Sequence, residues 1–172
     1  MHLPTLIGAS LLATAASAKD TISYPTINLG TFSYPHGNQF VAWSPFTPTT
    51  TQDVVELCES NGAIHGTATW TAVRVANTYV LDPICRKPFN ITDDATNTTY
   101  YDLELACVDD DIDIHAFPQV TAVVERATNR TVEACAPVPS VDPYQWYGAC
   151  TSCCGAGVMW QFACSPETAG GE

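Results

Sequence analysis

Eight cysteines, all between positions 58 and 164, constrain this chain more than any other feature of its 172 residues. They follow the spacing C-x26-C-x21-C-x27-C-x14-C-x2-C-C-x9-C, through Cys58, Cys85, Cys107, Cys135, Cys150, Cys153, Cys154 and Cys164. Residues 1–18 precede them as an apolar run ending in Ala16-Ser17-Ala18, the small-x-small pattern of a cleavage site. That run is too short to span a bilayer, and no stop-transfer segment follows it. A leader of this kind sends the remainder, residues 19–172, into an oxidising compartment, so localisation is expected to be secreted and extracellular. An even cysteine count there reads as a disulfide framework.

Eight cysteines allow about 105 pairings, so the connectivity stays open. Cys153 and Cys154 are adjacent, and a ring between neighbours is strained, so each is expected to reach a different partner. Zinc sites favour paired Cys-x2-Cys motifs. This chain has one such motif, in Cys150-Thr151-Ser152-Cys153, which makes a metal the weaker reading.

Residues 19–172 have the length of one domain. Eighteen acids against six bases give a net charge of −12, which repels phosphate backbones and anionic headgroups and disfavours nucleic-acid and membrane-surface binding. No long stretch carries a helical apolar period, whereas several alternate. In residues 99–108, Tyr101, Leu103, Leu105 and Cys107 are expected on one face, with Tyr100, Asp102 and Glu104 on the other. Residues 120–127 and 130–135 flank Thr128-Asn129 as a hairpin. Further strands are expected at 21–29, 39–43, 54–58, 68–75, 78–81 and 158–162. The fold class is all-β: a single-domain sandwich or barrel of about eight short strands, stapled by disulfides.

Three N-x-T sequons, at Asn90, Asn97 and Asn129, mark candidate N-glycosylation sites where loops are expected. Asp109, Asp111, Asp113 and His115 would share one face of a strand and could hold a divalent cation. A solvated face beside Ile112 and Ile114 explains the same alternation. Tyr144, Trp146 and Tyr147 are aromatic, lie among turn residues and could stack on a sugar ring. No cofactor-binding motif is present, and no cofactor is expected.

Tyr34-Pro35-His36, with Glu56 and Arg74 further on, resembles the catalytic strand of the small guanyl-specific ribonucleases of fungi. In that family a glutamate acts as base and an arginine holds the phosphate, which would give those roles to Glu56 and Arg74. The family's second histidine has no counterpart at its usual distance, and a −12 chain suits RNA poorly. The chain as a whole is similar to the small cysteine-rich secreted proteins of filamentous fungi, including effector-like proteins. Trp146-Tyr147-Gly148-Ala149-Cys150 and the alternating segment 158–162 resemble the fungal major-allergen-like β-barrel family. Hydrophobins have two cysteine doublets, and this chain has one. These resemblances imply an extracellular binding or host-interaction role whose partner is a protein or a glycan. A small secreted hydrolase, glycosidase- or ribonuclease-like, is the alternative.

Overall fold

A computed structural model describes residues 22–34, 37–60, 71–73, 84–93, 95–108, 119–140, 145–151 and 155–166. The described chain is built of β1 (Ile27–Tyr34), β2 (Gly37–Trp43), α1 (Thr51–Ser60), β3 (Thr71–Val73), β4 (Phe89–Asp93), β5 (Thr98–Cys107), β6 (Val120–Glu125), β7 (Arg130–Pro137), β8 (Tyr147–Ala149) and β9 (Gly157–Pro166). The strands form one antiparallel sheet in the order β3-β2-β1-β9-β7-β6-β5-β4. It curls until β3 lies against β4, giving a nearly closed barrel. The all-β expectation therefore holds.

Strand β9 forks the sheet. Its second half pairs with β7, Cys135 facing Cys164 and Pro137 facing Phe162. Its first half pairs instead with β8, Tyr147 facing Met159 and Ala149 facing Gly157. Two apolar clusters are buried. Leu29, Ile91, Leu103, Leu105, Val123 and Phe162 fill the barrel. Trp43, Val54, Leu57, Val158 and Trp160 fill the space under α1. Glycine is required where layers touch: a Cβ on Gly148 would come within 2.6 Å of the Val54 backbone, and one on Gly30 would meet the Met159 carbonyl.

Residues 54–58, expected as a strand, lie in α1. The helix is started by a reciprocal cap. Thr50 Oγ1 accepts from the Asp53 amide at 3.2 Å, and Asp53 Oδ2 accepts from the Thr50 amide at 2.9 Å and the Thr49 amide at 2.7 Å. Those bonds, led by the one from the Thr49 amide, hold the Asp53 carboxyl down at about 2. Val54, Leu57 and Cys58 then bury one stripe at the i, i+3, i+4 spacing.

The facing in β5 also departs from simple alternation. Leu103 and Leu105 point inward as expected, but Tyr101 is exposed and Tyr100 packs against the core. A bulge causes this: Phe89 faces Leu103 while Ile91 faces Tyr100, and Asp102 takes a φ of 53°. One extra residue reverses the phase of everything before it.

Among the described residues three disulfides staple the fold: Cys58–Cys150 ties α1 to the end of β8, Cys85–Cys107 ties the approach to β4 onto β5, and Cys135–Cys164 joins β7 to β9. They use six of the eight cysteines. Cys153 and Cys154 lie outside the described residues, and no other cysteine in the chain is left for either. The expectation that each reaches a different partner in the fold therefore does not hold. Alkylation of denatured, unreduced protein should add no label to any of the eight cysteines. Two labels by mass spectrometry would mean an open dithiol.

Candidate functional site

The fork in β9 opens a groove among the described residues. Where β9 leaves β7 for β8, the gap is spanned by backbone bonds from the Val138 amide to the Gln161 carbonyl (2.9 Å) and from the Trp160 amide to the Trp146 carbonyl (3.0 Å). Pro137, Val138, Trp146, Met159, Trp160 and Phe162 line an open groove of about 270 Å³, with Gln119, Ser140 and Gln161 supplying its polar atoms. No described lining residue carries a charge.

Trp146 is held in place although it is only half-buried. Its indole Nε1 donates to the Pro139 carbonyl at 2.8 Å, and its ring meets Trp160 edge-on, with centroids 5.1 Å apart and planes at 75°. Trp160 is itself buried, and its Nε1 donates to the Phe162 carbonyl at 3.0 Å. Gln161 is positioned from the other side, its Oε1 accepting from the Thr31 hydroxyl at 2.8 Å. A fixed indole beside planar amides can stack on an apolar ring face while hydrogen-bonding polar groups at the ring's edge.

Of the three aromatic candidates from the sequence, Trp146 lines this groove. Tyr147 does not: its ring covers Gly157, where any Cβ would overlap it. Tyr144 lies outside the described residues. Met159 and Phe162, in the alternating segment 158–162, and Gln119 complete the groove; topology brings them to Trp146.

Glu56 lies on α1 rather than on a strand, unlike the ribonuclease arrangement. Tyr34 ends β1, but its side chain, His36 and Arg74 are outside the described residues, as are Asp109, Asp111, Asp113 and His115. Among the described residues, no three His, Cys, Asp or Glu side chains gather as a metal site. No described helix is long and apolar enough to cross a membrane.

A second unusual group sits inside the barrel. Glu133 faces Val123 across the β6–β7 ladder and is fully buried, and no hydrogen bond of ordinary geometry reaches either carboxyl oxygen. A bulge turns it inward. Val123 faces Glu133 while Val124 faces Thr131, so Val132 is the extra residue. Burial pushes the Glu133 carboxyl up to about 9, with only weak relief from the Ile27 amide. Tyr100 is raised as well, first by burial and then by the Asp93 and Glu133 carboxyls. Segment 22–26 runs over this end, where the Tyr100 hydroxyl donates to the Ser23 carbonyl (3.0 Å) and the Tyr24 hydroxyl to Glu125 (3.2 Å). A carboxyl sealed in this way is not placed to meet a substrate.

Against protein-family profiles, curated proteins and solved structures, the chain has no match in any of the three comparisons.

Proposed function

We propose that this protein is a secreted binding module that holds a neutral carbohydrate in the groove beside Trp146. The observation that carries the reading is a contrast in charge: the chain has a formal charge of −12, yet the described groove lining is wholly uncharged and joins aromatic rings to amide and hydroxyl groups. A basic or acidic ligand would find no counter-charge there, whereas a sugar needs ring faces and planar hydrogen-bonding groups. The three disulfides are consistent with an extracellular location. This function continues the binding role that the resemblance to cysteine-rich secreted proteins implies. The described lining offers no carboxylate to cleave a glycosidic bond, so binding without hydrolysis is the form proposed.

The test is tryptophan fluorescence titration against a panel of neutral gluco-, xylo-, manno- and chito-oligosaccharides. One class should quench the fluorescence saturably and be recovered uncleaved. Trp146→Leu should weaken that binding about tenfold or more, the loss expected for a central aromatic contact. Tyr101→Ala, altering an exposed ring on β5, should leave it unchanged. An unaltered titration in a folded Trp146→Leu variant, with its melting curve as the check on folding, would remove the groove from the function.

A further inference from the structure

The three sequons, scattered over forty residues of sequence, converge at one end of the barrel. Asn97 lies in the turn between β4 and β5, and Asn129 in the turn between β6 and β7. Because β5 and β6 pair antiparallel, Leu103 facing Glu125 and Cys107 facing Val120, these two turns lie at the same end. Asn90, on β4, is tied to them. Its Oδ1 accepts from the Asp102 amide at 2.9 Å. The Asp102 carbonyl in turn accepts from the Arg126 amide at 3.0 Å, and the Asp102 carboxylate meets the Arg126 guanidinium at 2.7 Å. Arg126 opens the turn that carries Asn129.

The groove lies toward the opposite end. Gln119 immediately precedes β6 and Pro137 closes β7, so the length of β6, roughly 20 Å, separates the rim of the groove from the Asn129 turn.

Local backbone geometry explains part of this pattern. Asn97 and Asn129 have φ values of 51° and 52°, a region that favours asparagine. That preference does not explain Asn90, which sits in a strand, or the threonine two residues beyond each asparagine. All three asparagines are exposed. At Asn90 the hydrogen-bonded atom is the oxygen, not the nitrogen that accepts a glycan.

We infer that all three sequons are used, so that N-glycans sheathe one end of the barrel and leave the groove end as the face that meets a ligand. The second half of this statement rests on the carbohydrate-binding reading. The modifying step draws on the lipid-linked oligosaccharide diphosphate of the secretory pathway. The asparagine Nδ2 bonds to the anomeric carbon, that carbon's bond to the diphosphate oxygen breaks, the lipid diphosphate leaves, and the amide gives up one proton. Because attachment precedes completed folding, the finished fold must leave each glycan in solvent, as an exposed end does.

The experiment uses protein secreted from a eukaryotic host. Intact mass should show three N-glycans, and Asn90→Gln, Asn97→Gln and Asn129→Gln should each remove one. Trimming the folded wild type with an endoglycosidase, and the triple variant itself, should leave affinity for the bound oligosaccharide class within about twofold, because no contact with the ligand is lost. Gln119→Asn creates a new sequon with Val120 and Thr121 at the groove rim. It should add a fourth glycan and bind at least tenfold more weakly than the same chain carrying Thr121→Ala, which keeps the Gln119→Asn change but cannot accept the glycan. Fewer than three glycans on the wild type overturns the inference, as does loss of binding on trimming. Failure of the wild type to bind any oligosaccharide overturns the carbohydrate reading instead, and the glycan count then decides this inference alone.

Discussion

Raising the pH from about 5 to about 8 should lower the melting temperature by roughly 10 °C, and Glu133→Gln should abolish most of that loss. The cause is one carboxyl, fully buried without a hydrogen bond of ordinary geometry and raised by burial to about 9. In the unfolded chain the same group titrates near 4.5. Between those values the folded protein keeps a proton that the unfolded chain releases, so stability falls as pH rises. A full proton difference costs about 1.4 kcal/mol per pH unit, or up to about 4 kcal/mol over three units. A domain of this size loses roughly 2–4 °C per kcal/mol.

Two carboxyls work in the opposite sense. Asp53 is held at about 2 by the Thr49 amide, and Glu125 is lowered chiefly by the Thr128 hydroxyl. Their contributions are present above the ordinary carboxylate range and are lost as pH falls through their folded values. An optimum near pH 5 follows. Repulsion across the acidic surface also grows with pH, but ionic strength moves it equally in wild type and variant. Melting curves of the two proteins from pH 4 to 9 should therefore meet near pH 5 and separate above it, with the variant the more stable. Parallel curves would show that Glu133 keeps its charge in the fold.

Removing the Cys58–Cys150 bridge should cost more than removing either of the other two. It closes a sequence separation of 92, against 29 for Cys135–Cys164 and 22 for Cys85–Cys107. Loop-closure entropy assigns these about 4.6, 3.6 and 3.4 kcal/mol respectively. A domain's net stability is only about 5–15 kcal/mol, so the largest of these is a substantial share. The local structure adds to the ranking. Cys58 and Cys150 are both buried in the cluster under α1, and Glu59 of the same helix accepts a bond from the Thr151 amide. Paired Cys→Ala variants, compared by denaturant unfolding, give the ranking directly. A greater loss on removing Cys85–Cys107 would show that the barrel seam, not the helix attachment, limits stability.

The parts of the fold that were legible in the sequence are those where local chemistry and final packing agree. The β6–β7 hairpin is one, because polar tip residues separate two β-rich runs and Asn129 supplies the left-handed turn position. Helix α1 was not read. Val54 and Val55 favour strands, and the cap formed by Thr50 and Asp53 lies just outside that apolar run. The bulges at Asp102 and Val132 escaped as well. Each adds a residue without altering composition, and each reverses which side chains face inward. Glu133 thus looks in sequence like a solvated acid between Val132 and Ala134. Trp146 was legible as a candidate because aromatics among turn residues are conspicuous. Its neighbours Met159 and Phe162 were not, since only the fork in β9 brings them beside Pro137 and Val138.

That fork also bears on how this chain can diverge. Within the ten residues of β9, Val158 and Trp160 belong to the cluster under α1, while Phe162 and Cys164 belong to the barrel. A replacement in β5 disturbs one cluster and a replacement in α1 disturbs the other, so each half can drift and be compensated within itself. A replacement in β9 must satisfy both neighbourhoods together. In evolutionary terms β9, which like β1 and β2 feeds both clusters, has less freedom to vary than β5 or α1, and the groove, floored by that strand, inherits its restraint.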